Sequence, residues 1–270
     1  MHSNLTAMET VSITDNLPAE SKKECNIEEQ EEEQSESDSE TESTGGNQEM
    51  LTEEKAPEIV QPHRTNYFFT SIPREYFTFV GYEISIQESI ESYGAFTWPG
   101  AVDLCHFLEN NWTEFNFNDK HVLELGSGTG LLSIVAAILG AYVTATDMSE
   151  LLGNLQVNLM RNTRGRSKHP PQVKELAWNV DLDKKFPRSV HHYDYILASD
   201  VIYHHDYLND LMATFEHFCH PDSVILLAYK LRFDSDHAFF EKFKKLFNTT
   251  TLAEISSSGV RIVKATKKVE

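Results

Sequence analysis

From Gln61 onward hydrophobic and polar positions recur with regular periods, and the elements can be read off in order. The stretch EYFTFVGYEISIQES (75–89) alternates apolar and polar residues and predicts two strands turning near Gly81. In TWPGAVDLCHFLENN (97–111), Pro99 suits a first helical turn, and Val102, Leu104, Cys105 and Leu108 supply an apolar face. Beyond it, apolar runs predict strands at 121–125, 142–147, 172–176, 193–198 and 223–228. Helical patterns fall between and after them, near 130–139, 150–161, 207–219 and 236–247. The third of these places Leu208, Leu211, Met212, Phe215 and Phe218 on one side. TTTLAEI and GVRIVKAT close the chain as a β-hairpin. Nearly continuous apolar strands alternating with helices predict an α/β fold, a doubly wound, mostly parallel seven-stranded sheet covered on both faces, preceded by a β-hairpin. Such sheets bind ligands beyond the carboxyl ends of their strands.

Charge divides the chain in two. Residues 1–60 hold 17 acids against 3 lysines, a net of −14, which leaves −5 of the total −19 for residues 61–270. A segment centred on EEQEEEQSESDSETESTGG is too polar to bury a core, so residues 1–60 are expected to be a disordered acidic tail and 61–270 one folded domain. Cys25, Cys105 and Cys219 are widely spaced and form no CxxC, which favours a reducing compartment and offers no zinc site. The first residues show no basic and apolar signal pattern, so a cytoplasmic protein is expected, and 30.8 kDa leaves the nucleus open. The uncharged run LGSGTGLLSIVAAILGAYVTAT (125–146) has the length of a membrane span, but four glycines divide it into strand, loop, helix and strand.

The chemistry begins at VLELGSGTG (122–130), where a strand enters a glycine-rich turn and then a helix. Gly126, Ser127 and Gly128, with Gly130 behind them, let a ligand approach the backbone; a tight strand-to-helix turn without a ligand is the plainer alternative. Asp147 closes the next strand, where an acid either accepts from both ribose hydroxyls or caps the following helix. Together the two features point to an adenosine-type ligand. A dinucleotide fingerprint requires a third glycine at position 131, which is Leu131 here. Glu124, two residues before the first glycine, disfavours a pyrophosphate and suits a cationic or amino-bearing ligand, so S-adenosylmethionine fits better than NAD. Its alternative role is to hold the loop's amides together.

ELGSGTG, Asp147 and LASDVIY resemble the class I, seven-strand methyltransferases that use S-adenosylmethionine. More narrowly, IQESIESYGAFTWPGA, LGAYVTATD, LGNLQVNL and SDVIYHH resemble the eukaryotic protein-lysine methyltransferases of the methyltransferase-like 21 group. That resemblance implies that Trp98 and Trp178 line the donor pocket, Trp178 beside the adenine, and that Ala198 also contacts the donor. Read alone, either tryptophan is sooner an ordinary core residue, and only the resemblance reverses that. The resemblance also assigns Asp200 and Tyr203 to catalysis, where a carboxylate and an aromatic face would flank an attacking amine. Helix capping by Asp200 and simple packing by Tyr203 are the alternatives. Nucleic-acid amino-methyltransferases have two prolines between the corresponding residues, and Val201 and Ile202 stand there instead. One short basic loop, RNTRGRSKHPP, is too little for a broad phosphate-binding face. His204 and His205, with His191 and His192, have no acid or cysteine at ligand spacing, so no metal is expected. The resemblance implies a protein substrate, of the chaperone, ATPase or translation-factor type; a monomer with no nucleic-acid or membrane partner is expected.

Overall fold

Strand and helix boundaries follow the punctuation of the sequence. The computed structural model describes residues 74–89, 92–203 and 206–268, so the acidic segment 1–60 and the expected boundary at Gln61 lie outside the described residues. Strands β1 (Arg74–Phe79) and β2 (Tyr82–Gln87) form the expected hairpin, turning on Val80 and Gly81, both at positive φ (52° and 75°). Two left-handed residues in a two-residue loop match the twist of antiparallel strands. A single 3-10 turn, Tyr93–Ala95, leads into α1 (Pro99–Asn110).

The main sheet alternates with helices: β3 (His121–Leu125), α2 (Leu131–Ile138), β4 (Tyr142–Asp147), α3 (Leu152–Thr163), β5 (Gln172–Glu175), α4 (Leu182–Lys185), β6 (Tyr195–Ser199), α5 (Leu208–Phe218), β7 (Val224–Tyr229), α6 (Asp234–Leu246), β8 (Phe247–Ile255) and β9 (Val260–Lys267). The spatial order is β5-β4-β3-β6-β7-β9-β8, seven strands, parallel from β5 to β7 and antiparallel at β9 and β8. The chain steps outward from β3 to β5 and then returns to pair β6 on the other side of β3. The topological switch therefore lies at β3, and the crevice there is where such sheets hold ligands. Among the described residues no helix is long and apolar enough to cross a membrane, and the uncharged run 125–146 divides into the end of β3, α2 and β4.

Period-two alternation along β3 separates the two cores. Val122 points into a cluster with Leu104, Leu108, Ile134 and Leu155 from α1, α2 and α3; Leu123 and Leu125 point into one with Leu211, Phe215 and Phe243 from α5 and α6. Full burial of each such side chain contributes about 1.5–3 kcal/mol relative to exposure. Glu124 shares the face of Val122 and lies in the core beneath α2.

Most helices and the strands from β5 onward are shifted by one or two residues at an end from the sequence expectation, and two of these shifts have a local reason. β6 starts at Tyr195 rather than at 193, because the Asp194 carboxylate leaves the strand direction to accept from the His121 N–H (2.8 Å) and to pair with Lys120 (3.1 Å). β5 stops at Glu175, one residue early, and the Leu176 N–H donates to the Asp147 carbonyl at 2.9 Å.

The hairpin is held by side chains instead of a third strand. Asn162 donates to the Ser85 carbonyl (3.0 Å) and accepts its N–H (2.9 Å), while Asn158 does the same for Gln87 (2.9 and 3.0 Å). Asn154 also donates to the Gln87 carbonyl at 3.0 Å, and Arg166 to the Glu83 carbonyl at 2.7 Å. Spaced every four residues on one face of α3, the three asparagines imitate the edge of a strand and saturate the open edge of β2. Asn158 is fully buried and donates as well to the Thr129 carbonyl in the glycine loop (3.0 Å). Asn158→Ala leaves the Gln87 N–H and the Thr129 carbonyl without that partner, and is expected to lower unfolding free energy by about 2 kcal/mol. Urea denaturation checks this; a change below about 0.5 kcal/mol would show that water replaces the amide at no cost.

Candidate active site

Three connections at the carboxyl ends of β3, β4 and β6 build the site. The loop after β3 is tied to β4 by reciprocal bonds: the Ser127 N–H donates to the Thr146 carbonyl (2.9 Å), and the Thr146 N–H donates to Ser127 Oγ (3.0 Å). Gly128 adopts a φ of +53°, and a Cβ there would lie 2.7 Å from the Gly94 carbonyl oxygen. A bare glycine therefore lets the segment before α1 close over the loop, where the Thr97 and Thr129 hydroxyls meet at 3.1 Å.

Two acids brace this loop. Glu124 is 1% exposed, and its carboxylate takes the Ser133 hydroxyl of α2. Burial first, and then the Asp147 charge, raise its pKa to about 8 against the opposing bonds from Ser133 and Ser127. The structure places Glu124 under the loop, against Ser127 and Ser133. Asp147 ends β4 with one carboxylate oxygen on the Gly128 N–H (2.7 Å) and the other on the Met148 N–H (2.8 Å). Burial raises its pKa while these amides lower it. Each oxygen retains a lone pair for a further donor.

Of the other donor-pocket candidates, Trp178 comes closest to the loop. A Cβ at Gly126 would lie 3.6 Å from its Cζ2 and 2.9 Å from Val201 Cγ1. Ala198 is buried and pairs in register with Leu125, directly before the glycines. Trp98, the residue before Pro99, is 38% exposed and stands at the start of α1.

Asp200 forms a second unit. It adopts a φ of +52°, and its N–H donates to the Ala228 carbonyl at 3.0 Å, which fixes its direction out of the sheet. One carboxylate oxygen accepts the Gly100 N–H (2.6 Å), and the other takes Nη2 of Arg232 (3.4 Å). A Cβ at Gly100 would collide with that carboxylate, so the approach requires glycine. Asp200 thus caps α1, a helix 100 residues away whose own cap residue, Trp98, makes no side-chain cap bond. Capping does occur, on α1 rather than on the following helix. Burial raises the Asp200 pKa, Gly100 and Arg232 lower it, and Asp103 raises it. Tyr203 is 46% exposed, and burial followed by the charge of Asp147 holds its phenol above the ordinary range. Tyr203 therefore stands within electrostatic reach of Asp147.

The motif reading missed Gly100, Thr129, Asn158 and Arg232. WPG held a signal for Gly100, since Pro at the first helical position asks what caps the next N–H. An open depression of about 630 Å³ beside α4 and α5, lined by Asn179, Asp183, Arg188 and His217 among others, contains none of the candidate residues. Among the described residues no three His, Cys, Asp or Glu side chains are placed to hold a metal ion. His192 bonds Asp222 at 2.9 Å, and His204 and His205 lie outside the described residues.

With this geometry in place, a lysine methyltransferase family profile matches residues 81–246, spanning the hairpin turn to the end of α6. The chain belongs to that family. This lysine methyltransferase is 51% identical over 201 residues to the protein-lysine methyltransferase METTL21E of Bos taurus, covering 74% of this chain and 69% of that one. To the protein N-lysine methyltransferase METTL21A of Xenopus tropicalis it is 36% identical over 191 residues, covering 70% and 86%. Among solved structures, the Thermus thermophilus 16S rRNA N2 G1207 methyltransferase in complex with AdoMet and guanosine superposes with a TM-score of 0.52 at 18% identity, over 73% of this chain and 50% of that one, a likeness of fold. Lysine methyltransferases of this fold take their methyl group from S-adenosylmethionine, and the residues present fit that donor. Asp147 has lone pairs for a ribose, Trp178 offers a flat ring beside the glycine loop, and the turn carries no side chain at Gly126 and Gly128.

Proposed function

We propose that the enzyme transfers a methyl group from S-adenosylmethionine to the ε-amine of a lysine on a folded protein, with chaperones, ATPases and translation factors as the substrate class. One observation carries the reading. Leu125 and Ala198 pair in register on adjacent parallel strands, so the donor loop after β3 and the acid after β6 leave the sheet side by side. Donor and acceptor sites therefore share one crevice at the switch of strand order.

When bound, S-adenosylmethionine supplies an electrophilic methyl group on a sulfonium. The chain orients the nitrogen that receives it. A lysine with a pKa near 10.4 is neutral in only about one molecule in 2,500 at pH 7, a barrier of roughly 4.6 kcal/mol. Removal from water in the crevice lowers that cost, whereas an ionised Asp200 raises the amine pKa. Asp200 is accordingly assigned to orienting the amine and stabilising the methylated cation, with Tyr203 as an aromatic wall of the lysine channel. Trp98, exposed at the start of α1, borders the entrance. The basic loop supports a protein acceptor over a nucleic acid, because Arg166 is bonded to Glu83 and Lys168 to Asp119 (2.6 Å) within the fold.

The test is transfer of radiolabelled methyl into a soluble extract of cells lacking the enzyme, followed by hydrolysis of labelled bands. Label in a discrete protein band, recovered as methyl-lysine, is expected; label in RNA or small molecules alone would overturn the acceptor assignment. Asp147→Ala is expected to weaken donor binding at least tenfold, about 1.4 kcal/mol, by titration calorimetry. Unchanged affinity would remove Asp147 from the pocket.

A further inference from the structure

Arg232 has an anchored root and a loosely held tip. It lies between β7 and α6, and its backbone N–H donates to the buried Asp236 carboxylate at 3.0 Å, which also takes the next N–H, that of Phe233, at 3.1 Å. Among the described residues its guanidinium, by contrast, makes only long single contacts: 3.3 Å from Nη1 to the Lys230 carbonyl and 3.4 Å from Nη2 to Asp200. A guanidinium engaged with a carboxylate in earnest makes two short parallel bonds. The pair is also one-sided in exposure, since the Asp200 side chain is 5% exposed and that of Arg232 31%. The inner oxygen of Asp200 is committed to Gly100, so a cation arriving from solvent meets the oxygen that Arg232 covers.

From this we infer that Arg232 is a positioning residue that stands in for the substrate ammonium, covering Asp200 Oδ1 until the target lysine displaces it. The inference rests on the assignment of Asp200 to the acceptor site. Holding a cation there in the resting enzyme keeps a buried carboxylate ionised, and arginine suits the task because it keeps its charge at any working pH. Among the described residues, the other groups facing Asp200 are Asp103 of α1, whose charge acts against ionisation, and the Gly100 N–H. Lys230 is turned away, its ammonium on the Ser258 carbonyl at 2.7 Å, and Asp103 takes the Ser258 hydroxyl at 2.6 Å. No covalent step involves Arg232; it yields one ion pair for another.

The sign of the pH effect follows. Without Arg232, burial and Asp103 raise the Asp200 pKa further, so activity that needs the carboxylate is lost at a higher pH on acidification. Above that pH the lysine no longer competes with an internal cation. In the extract assay, Arg232→Gln is expected to move the acid limb of the rate profile up by about one pH unit. At pH 9 it is expected to lower the half-saturating extract concentration about threefold, the scale of a weak exposed ion pair, with the maximal rate within twofold of wild type. Arg232→Lys should restore the limb. An unmoved limb, or weaker saturation at pH 9, would overturn the inference. Asp200→Asn run in parallel separates the cases: full activity there sinks the acceptor-site assignment, whereas loss there with an unmoved Arg232→Gln profile sinks only the role of Arg232. A measurement without any acceptor stands beside these. The Asp200 carboxyl carbon, followed by NMR, should titrate at higher pH in Arg232→Gln than in wild type, and coincident curves would overturn the inference.

Discussion

Asp200→Asn is expected to slow methyl transfer about a thousandfold while leaving the fold intact. The amide keeps an oxygen for the Gly100 N–H, so α1 retains its cap, and what is lost is the negative charge at the proposed acceptor site. Removing one preorganised electrostatic partner of a reacting centre costs about 10²–10³ in rate. The upper end applies here because the carboxylate is nearly sealed from water. Asparagine is the informative choice, since alanine would also uncap α1 and confound stability with chemistry. Label transfer at saturating donor, with melting temperature as control, checks it; a rate above about a tenth of wild type would relieve Asp200 of the role proposed for it.

The second large effect concerns Glu124. Its folded pKa of about 8, against 4.5 for a free side chain, means that the native state holds this proton more tightly than the unfolded chain. The stability it contributes is full below about pH 4.5 and drains away as pH rises through 8. Between pH 5 and 9 the loss from this one group is on the order of 4 kcal/mol. Glutamine matches the neutral acid in size and can still meet the Ser133 hydroxyl, so Glu124→Gln should lack this decline. Asp147 and Asp200 also have raised pKa values and slope the same way, which makes the wild-type-minus-variant difference the useful quantity. Urea unfolding at pH 5 and pH 9 measures it. Parallel pH dependences in the two proteins would show that Glu124 is ionised throughout.

How much of this the sequence revealed depends on the range of the interactions involved. β3 and β4 were placed to the residue because an apolar run between a polar start and a glycine or acid is a local signal. Helix α4 escaped because four residues carry no period, and it follows Asn179 and Asp181, both at positive φ (57° and 52°). Sequence order placed Asp200 at the end of β6 but could not show that it caps α1, since that bond joins positions 100 residues apart. Glu124 was read with two roles open, and its burial beneath α2 against Ser133 is invisible in the motif. The asparagines of LGNLQVNL were in plain view, four residues apart on a helix, yet nothing local says that such a row faces a strand edge.

That row of asparagines has a consequence for the order of assembly. The β1–β2 hairpin leaves the ribosome before every other described element, but the amides that saturate its edge lie 67 to 77 residues downstream. At a synthesis rate of about 5–20 residues per second, the hairpin waits several seconds with one strand edge open. A two-stranded ribbon is marginal in water on its own, so it is made first and secured late, when α3 and the glycine loop exist to receive it.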